Sequence, residues 1–275
     1  MAARSASPNR VRNPRAEALI WPPLNIGLRG AAGGAPENTL ASFELALREG
    51  AEGVILDVQL SSDGVPVVIS DSRLSRTTSG RGWVREKQAS TLIQLDAGSW
   101  FNHRFPSRAR RQYAREPVPL LFEVLHWIRD RKCMALVAIK HPSLDTEVKV
   151  LKEIDRAKVR HLTRVIACNL PGLRRLRLLD PKINLGLLIA GRPPAIRELK
   201  AMGAEVVLPH WKKASPSFIQ RAHRAALLVI PWAVDSPRQM RRTILEGADG
   251  IITKFPAKLS ATIARLGKTM HATAP

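Results

Sequence analysis

From Leu24 onward the chain alternates short aliphatic runs with longer amphipathic stretches. Continuous or period-two apolar runs predict strands, and apolar positions spaced by three and four predict helices. The segment LNIGLRGAAGGAPENTL opens with an apolar run, passes through a glycine-rich turn, and ends in Pro-Glu-Asn-Thr at the start of a helical pattern. A helix is expected over 39–50, stopped by Gly50, and a strand over 54–58. A second run, 65–69, follows the turn Ser61-Ser62-Asp63-Gly64, which reads as a hairpin. The rhythm then breaks over 71–117, rich in Ser, Thr, Gly and Arg and too long for an ordinary connection. It resumes with helices over 120–131, 145–157, 173–179, 195–202, 216–225, 237–246 and 257–266, and strands over 134–139, 163–167, 184–189, 205–208, 227–231 and 250–253. About eight β/α units favour a closed TIM (β/α)8 barrel over an open sheet.

The 275 residues suit one such barrel, here assigned to 23–267 with an insertion over 71–117. Residues 1–22 read as a basic flexible arm and 268–275 as a tail. No run of about 18 apolar residues exists, so no membrane-spanning helix is expected. The two cysteines, Cys133 and Cys168, make no disulfide framework or metal cluster, read as buried inert thiols, and fit a cytoplasmic home. Charge is the unusual bulk property. Forty-four basic side chains against 23 acidic ones give +21, a field that attracts phosphorylated metabolites, acidic lipid or nucleic acid. Arg104, Arg108, Arg110, Arg111 and Arg115 cluster in the insertion near Phe105 and Tyr113, and read as a solvated, partly mobile loop or an anionic-surface contact.

Local motifs carry more information. LRGAAGGAPENTLASF, GVILDVQLSSDGVPVVISD, RLSRTTSGRG, LDAGSWF, ALVAIK and VIPWAVDSPRQMRRTILEGADGIITKFP occur in the order seen in the glycerophosphodiester phosphodiesterase family, which the chain resembles from about Leu24 to Leu259. The resemblance implies a TIM barrel with a small insertion after the second strand. It also implies two histidines for general acid–base work, carboxylates holding magnesium or calcium, and an arginine and a lysine on the phosphodiester. Such a division of labour suits an anionic substrate whose leaving alkoxide needs a proton.

Position by position, much of that machinery is missing. Where the family has His-Arg-Gly this chain has Leu28-Arg29-Gly30, and where it has His-Asp this chain has Ser70-Asp71. Both histidines are replaced. The Glu-x-Asp pair, whose members share one strand face, is Ile55-Leu56-Asp57, and Glu-x-Lys is Ala138-Ile139-Lys140. The final Thr-Asp is Thr253-Lys254. Arg29, Glu37, Asn38, Asp57, Asp71, Lys140 and the pocket aromatic Trp232 remain.

The remaining Asp57 is too little to hold a divalent cation beside Arg29, Lys140 and Lys254, so no cofactor is expected, and magnesium or calcium only if the chain is active. Leucine moves no proton, and loss of acid–base groups costs about 10²–10⁴ in rate. His141 and His210 follow strands on the barrel face where catalytic groups gather, and are the candidates for a relocated site or for plain loop histidines. Glu37 and Asn38 could equally serve as helix-capping residues. Asp57 could equally be a buried ion-pair partner. Arg29 and Lys140 aimed into one mouth call for something anionic, and Lys254 should tilt that mouth positive. Three readings compete. The first is a catalytically impaired family member, a pseudoenzyme, binding a phosphorylated small molecule, glycerophosphodiester or partner. The second is an active phosphodiesterase releasing glycerol 3-phosphate and an alcohol through a relocated site. The third is a polyanion-binding protein with steeply salt-dependent affinity.

Overall fold

The computed structural model describes residues 21–272, so the greater part of the expected N-terminal arm and the last residues of the tail lie outside the described residues. Nine strands form one sheet: β1 (Leu24–Leu28), β2 (Gly53–Leu60), β3 (Pro66–Val68), β4 (Met134–Ile139), β5 (Thr163–Ala167), β6 (Leu185–Ile189), β7 (Val206–Pro209), β8 (Leu228–Val229) and β9 (Gly250–Thr253). The helices are α1 (Leu40–Arg48), α2 (Ala89–Leu92), α3 (Ser99–Arg104), α4 (Leu121–Arg131), α5 (Leu144–Arg156), α6 (Leu170–Leu179), α7 (Ile196–Ala201), α8 (Pro216–Arg224), α9 (Pro237–Leu245) and α10 (Pro256–Ala272).

The parallel strands run in the order β8-β7-β6-β5-β4-β2-β1-β9, with β3 antiparallel on β2. The circle closes between β8 and β9 through single backbone bonds: Asp249 N–H donates to the Val229 carbonyl (3.0 Å) and Ile252 N–H to the Pro231 carbonyl (2.9 Å). This is the expected TIM barrel. Strand alternation divides its core in two. Val54, Leu56 and Val58 of β2 point outward onto helices such as α4, while Ile26, Ile55, Leu136, Ala138 and Ile166 fill the barrel interior.

Most element boundaries fall within a residue or two of the sequence pattern, and the departures have local causes. Helix α6 starts three residues early because Asn169 caps it, its side chain accepting from Gly172 N–H at 2.7 Å, and Pro171 is tolerated in the first turn. Strand β8 is cut to two residues ahead of Ile230 and Pro231. Helix α10 continues beyond Leu266 to Ala272, and Trp21, in the assigned arm, packs on the cluster containing Val234 and Leu266.

The insertion is built rather than open. After β3 it forms short 3-10 turns at Leu74–Arg76 and Val84–Glu86, then α2 and α3, and returns beside β3 where Val68 N–H donates to the Pro119 carbonyl at 2.8 Å. Leu74, Val84, Leu92 and Val118 make its own small core, and Phe101 and Tyr113 bury against Ala35. Arg108 is tied to the barrel loop, donating to the Gly33 carbonyl at 2.8 Å. Buried aromatics thus anchor the turn that carries the exposed Arg108.

Candidate functional site

The C-terminal ends of the strands bring the predicted residues to one mouth. Arg29 follows β1 in the left-handed region (φ 52°) and is held there by its N–H on the Ile55 carbonyl (2.8 Å) and by Asn38 N–H and Ser42 Oγ on its own carbonyl (3.0 Å each). Gly30 must be glycine: its φ is +83°, and a Cβ would lie 2.5 Å from the Ser42 backbone. Such locally costly conformations, worth about 1–3 kcal/mol each, persist only where surroundings over-determine them.

The side chains form a chain of charge. Asp57, 6% exposed, lies 2.6 Å from Arg29 Nε, a charge contact rather than an aligned hydrogen bond. Arg29 Nη1 donates to Glu37 Oε1 at 2.8 Å. Glu37 in turn accepts from Arg76 Nη2 at 2.6 Å and from Nη1 at 3.1 Å, and Arg76 also grips Asp71 through Nε and Nη2. Burial opposes the Arg29 charge, but Asp57 and Glu37 outweigh it and hold its pKa above the ordinary arginine value. The hydrogen bond from Arg76 is the first cause holding the Asp71 carboxyl below the usual carboxylate range. Sequence reading missed Arg76 as a member of the site. Its RTT context was visible, but nothing in the sequence says that the turn folds back over the mouth.

Two expectations are corrected here. Glu37 and Asn38 do not cap α1. Thr39 does, its Oγ1 accepting from Ser42 N–H at 3.2 Å, and Asn38 instead stands at φ 59° with its Oδ1 accepting from Asp57 N–H at 3.3 Å. Lys254 adds less positive charge to the mouth than expected, since its Nζ lies 3.7 Å from Asp235 Oδ2, a partner the sequence reading overlooked. Arg29, Arg76 and Lys254 each face a carboxylate. Among the described residues, Lys140, which follows β4, is the mouth cation without an ion-pair partner.

The apolar residues at the mouth share one environment. Leu28, Ile55 and Ala138 all belong to or pack against the interior cluster, together with Trp232, whose Nε1 donates to the Leu208 carbonyl at 2.8 Å. Register explains it, since Leu28 pairs with Ile55 across β1–β2 and Asp57 with Ala138 across β2–β4. Ser70 is buried, its carbonyl accepting from Gln59 Nε2 at 3.0 Å. His141 is exposed and shares a 2.8 Å hydrogen bond with Ser72 Oγ. His210 stands edge-on to Trp232, ring centroids 5.5 Å apart, and its Nδ1 accepts from Lys212 N–H at 3.4 Å. Cys133 is buried, and burial pushes its thiol up to about 12, whereas Cys168 is only partly buried, beside Lys140.

The donor set does not suit a divalent cation. Asp57 is committed to Arg29, and Glu37 and Asp71 to Arg76, and among the described residues no group of three or more His, Cys, Asp or Glu side chains could hold a metal.

The mouth of the parallel barrel brings Arg29, Glu37, Asp57 and Asp71 together, with Lys140 at the end of β4. The chain belongs to the Glycerophosphoryl diester phosphodiesterase family, whose match spans residues 29–258. It is 33% identical over 242 residues to a glycerophosphodiester phosphodiesterase of Caldanaerobacter subterraneus subsp. tengcongensis, covering 86% of this chain and 96% of that one. It is 31% identical over 256 residues to a glycerophosphodiester phosphodiesterase of Bacillus subtilis, covering 85% and 84%. Among solved structures, an Oleispira antarctica phosphodiesterase in complex with the product sn-glycerol-3-phosphate superposes with a TM-score of 0.80 at 27% identity, covering 88% of this chain and 97% of that one. No helix among the described residues is long and apolar enough to cross a membrane.

Proposed function

We propose that this chain is a binding member of its family that holds a phosphate-bearing small molecule, a glycerophosphodiester or its glycerol phosphate part, without hydrolysing it. One observation carries the reading. Leu28, Ile55 and Ala138 stand where the family places acid–base and metal-binding groups, and they pack as one apolar surface with Trp232. An apolar floor has no group to move a proton, and the carboxylates around it are already paired with arginine. The phosphate would rest on Lys140, which forms no ion pair among the described residues, with Arg29 held ready by Asp57 and Glu37. The Oleispira relative, crystallised with glycerol phosphate, supports this class of ligand.

The donor set gives no place for magnesium or calcium, so no step runs through a metal. Each rescue histidine has one hydrogen-bond partner, Ser72 Oγ for His141 and Lys212 N–H for His210, and neither partner is a carboxylate that would orient it as a base. The test is hydrolysis of glycerophosphocholine by the full chain with and without magnesium or calcium, alongside calorimetric binding of glycerol 3-phosphate. Binding that is lost in Lys140→Ala, with no release of glycerol phosphate in any condition, is expected. Metal-dependent release that disappears in His141→Ala would instead establish a relocated active site.

A further inference from the structure

A separate cavity of about 540 Å³ opens beside the mouth, within the roughly 300–1,000 Å³ typical of small-molecule sites. Its walls include Leu60 from the end of β2, Ser72, Trp83 and Arg85 from the insertion, and His141 and Pro142 from the loop after β4. Ser72 follows Asp71 and His141 follows Lys140, so the cavity begins one residue beyond the charged mouth. The N-caps Ser143 and Asn169 reach its rim, but their side chains are committed to Thr146 N–H and Gly172 N–H.

Its charge is one-sided. No carboxylate lines it, and Arg85 is exposed with no carboxylate partner among the described residues. Trp83 supplies an aromatic wall whose ring already carries two guanidinium groups, Arg73 Cζ at 4.4 Å and Arg85 Cζ at 5.2 Å from the centroid. An aromatic wall alone would suit a quaternary ammonium. This one is preoccupied by positive charge, so a cationic headgroup meets repulsion where it would otherwise gain. A phosphate monoester carries about −1.5 to −2 at neutral pH and three acceptor oxygens. Guanidinium groups match that geometry in pairs of parallel hydrogen bonds, and the Ser72–His141 pair adds hydrogen-bonding groups at the inner wall.

We propose that this cavity binds a second phosphate, so that the chain's ligand is a glycerophosphodiester whose alcohol bears a phosphate monoester rather than a neutral or quaternary-ammonium headgroup. The inference rests on the reading that the mouth holds the diester at Lys140. Calorimetry on the full chain with glycerophosphoinositol 4-phosphate, glycerophosphoinositol and glycerophosphocholine separates the two. The 4-phosphate is expected to bind about tenfold or more tightly than the other two, as one charge-assisted contact allows. Arg85→Ala should erase that preference while leaving the two weaker affinities in place, and Lys140→Ala should weaken all three alike. A preference that survives Arg85→Ala, or equal affinity for the choline compound, overturns the proposal. If none of the three diesters binds, the mouth reading fails, and inorganic phosphate tests the cavity alone. Binding lost in Arg85→Ala but kept in Lys140→Ala supports the cavity, and binding indifferent to Arg85→Ala refutes it.

Discussion

Ile55 is a packed interior residue at the mouth of the barrel. It pairs in register with Leu28 and Leu136, is 3% exposed, and lies in the barrel interior. A carboxylate there would need a cation or a metal beside it. An isoleucine needs only close neighbours, and Leu28 and Ala138 are apolar as well. Ile55 and Ala138 belong to one apolar interior cluster, and Leu28 packs against it. We expect Ile55→Ala to cost about 2–4 kcal/mol of stability, the usual range for emptying a packed aliphatic site, measured by chemical denaturation. A position retained only for binding would show no such loss.

Pairs of elements are held by single polar contacts whose partners differ in exposure. Helix α5 presents Glu147, fully buried, to helix α6, where Arg175 donates to both of its oxygens at 2.9 and 2.8 Å. Removing the arginine strands a buried carboxylate. Arg175→Ala should destabilise the protein by roughly 3 kcal/mol, at the low end of values for a broken buried pair because the arginine is partly solvated. Replacing both residues with leucine should cost clearly less, and denaturation of the two variants side by side checks this non-additivity. The contact joins the helices that follow β4 and β5, after whose ends come Lys140 and Cys168.

At the scale of the whole molecule, the barrel closes at the seam between β8 and β9. Strands β8 and β9 are joined by backbone bonds at Asp249 and Ile252. Asp249 does further work there, accepting from Val229 N–H at 2.7 Å and bonding His223 Nε2 of α8 at 2.8 Å. That hydrogen bond is the main cause raising the His223 pKa above the ordinary histidine value, against the opposing effect of burial. A raised folded-state pKa means that the protonated form stabilises the fold. Its contribution is complete below the unfolded value of about 6.5 and is lost as pH climbs through the folded one. Urea midpoints should therefore fall between about pH 6 and pH 8, and His223→Gln should flatten that slope. An unchanged slope in the variant would remove His223 from the account.

The alternation of apolar runs and amphipathic stretches settled the barrel before any coordinates, because period and length are local properties that each β/α unit repeats. The replacements at Leu28, Ile55, Ser70 and Ala138 were equally legible, since they interrupt contiguous motifs. The partners of the remaining charges were not. Arg76 reaches Glu37 across 39 positions, and Lys254 meets Asp235 across a strand end. Such pairings depend on which loops share the same rim. The cavity at Trp83 and Arg85 likewise exists only because the insertion folds back beside β2 and the loop after β4. Sequence fixes which side chains the barrel carries, through local periodicity and motif. Tertiary structure alone decides which charges neutralise one another and which, like Lys140 and Arg85, form no ion pair among the described residues, because electrostatic pairing follows distance in space rather than separation along the chain.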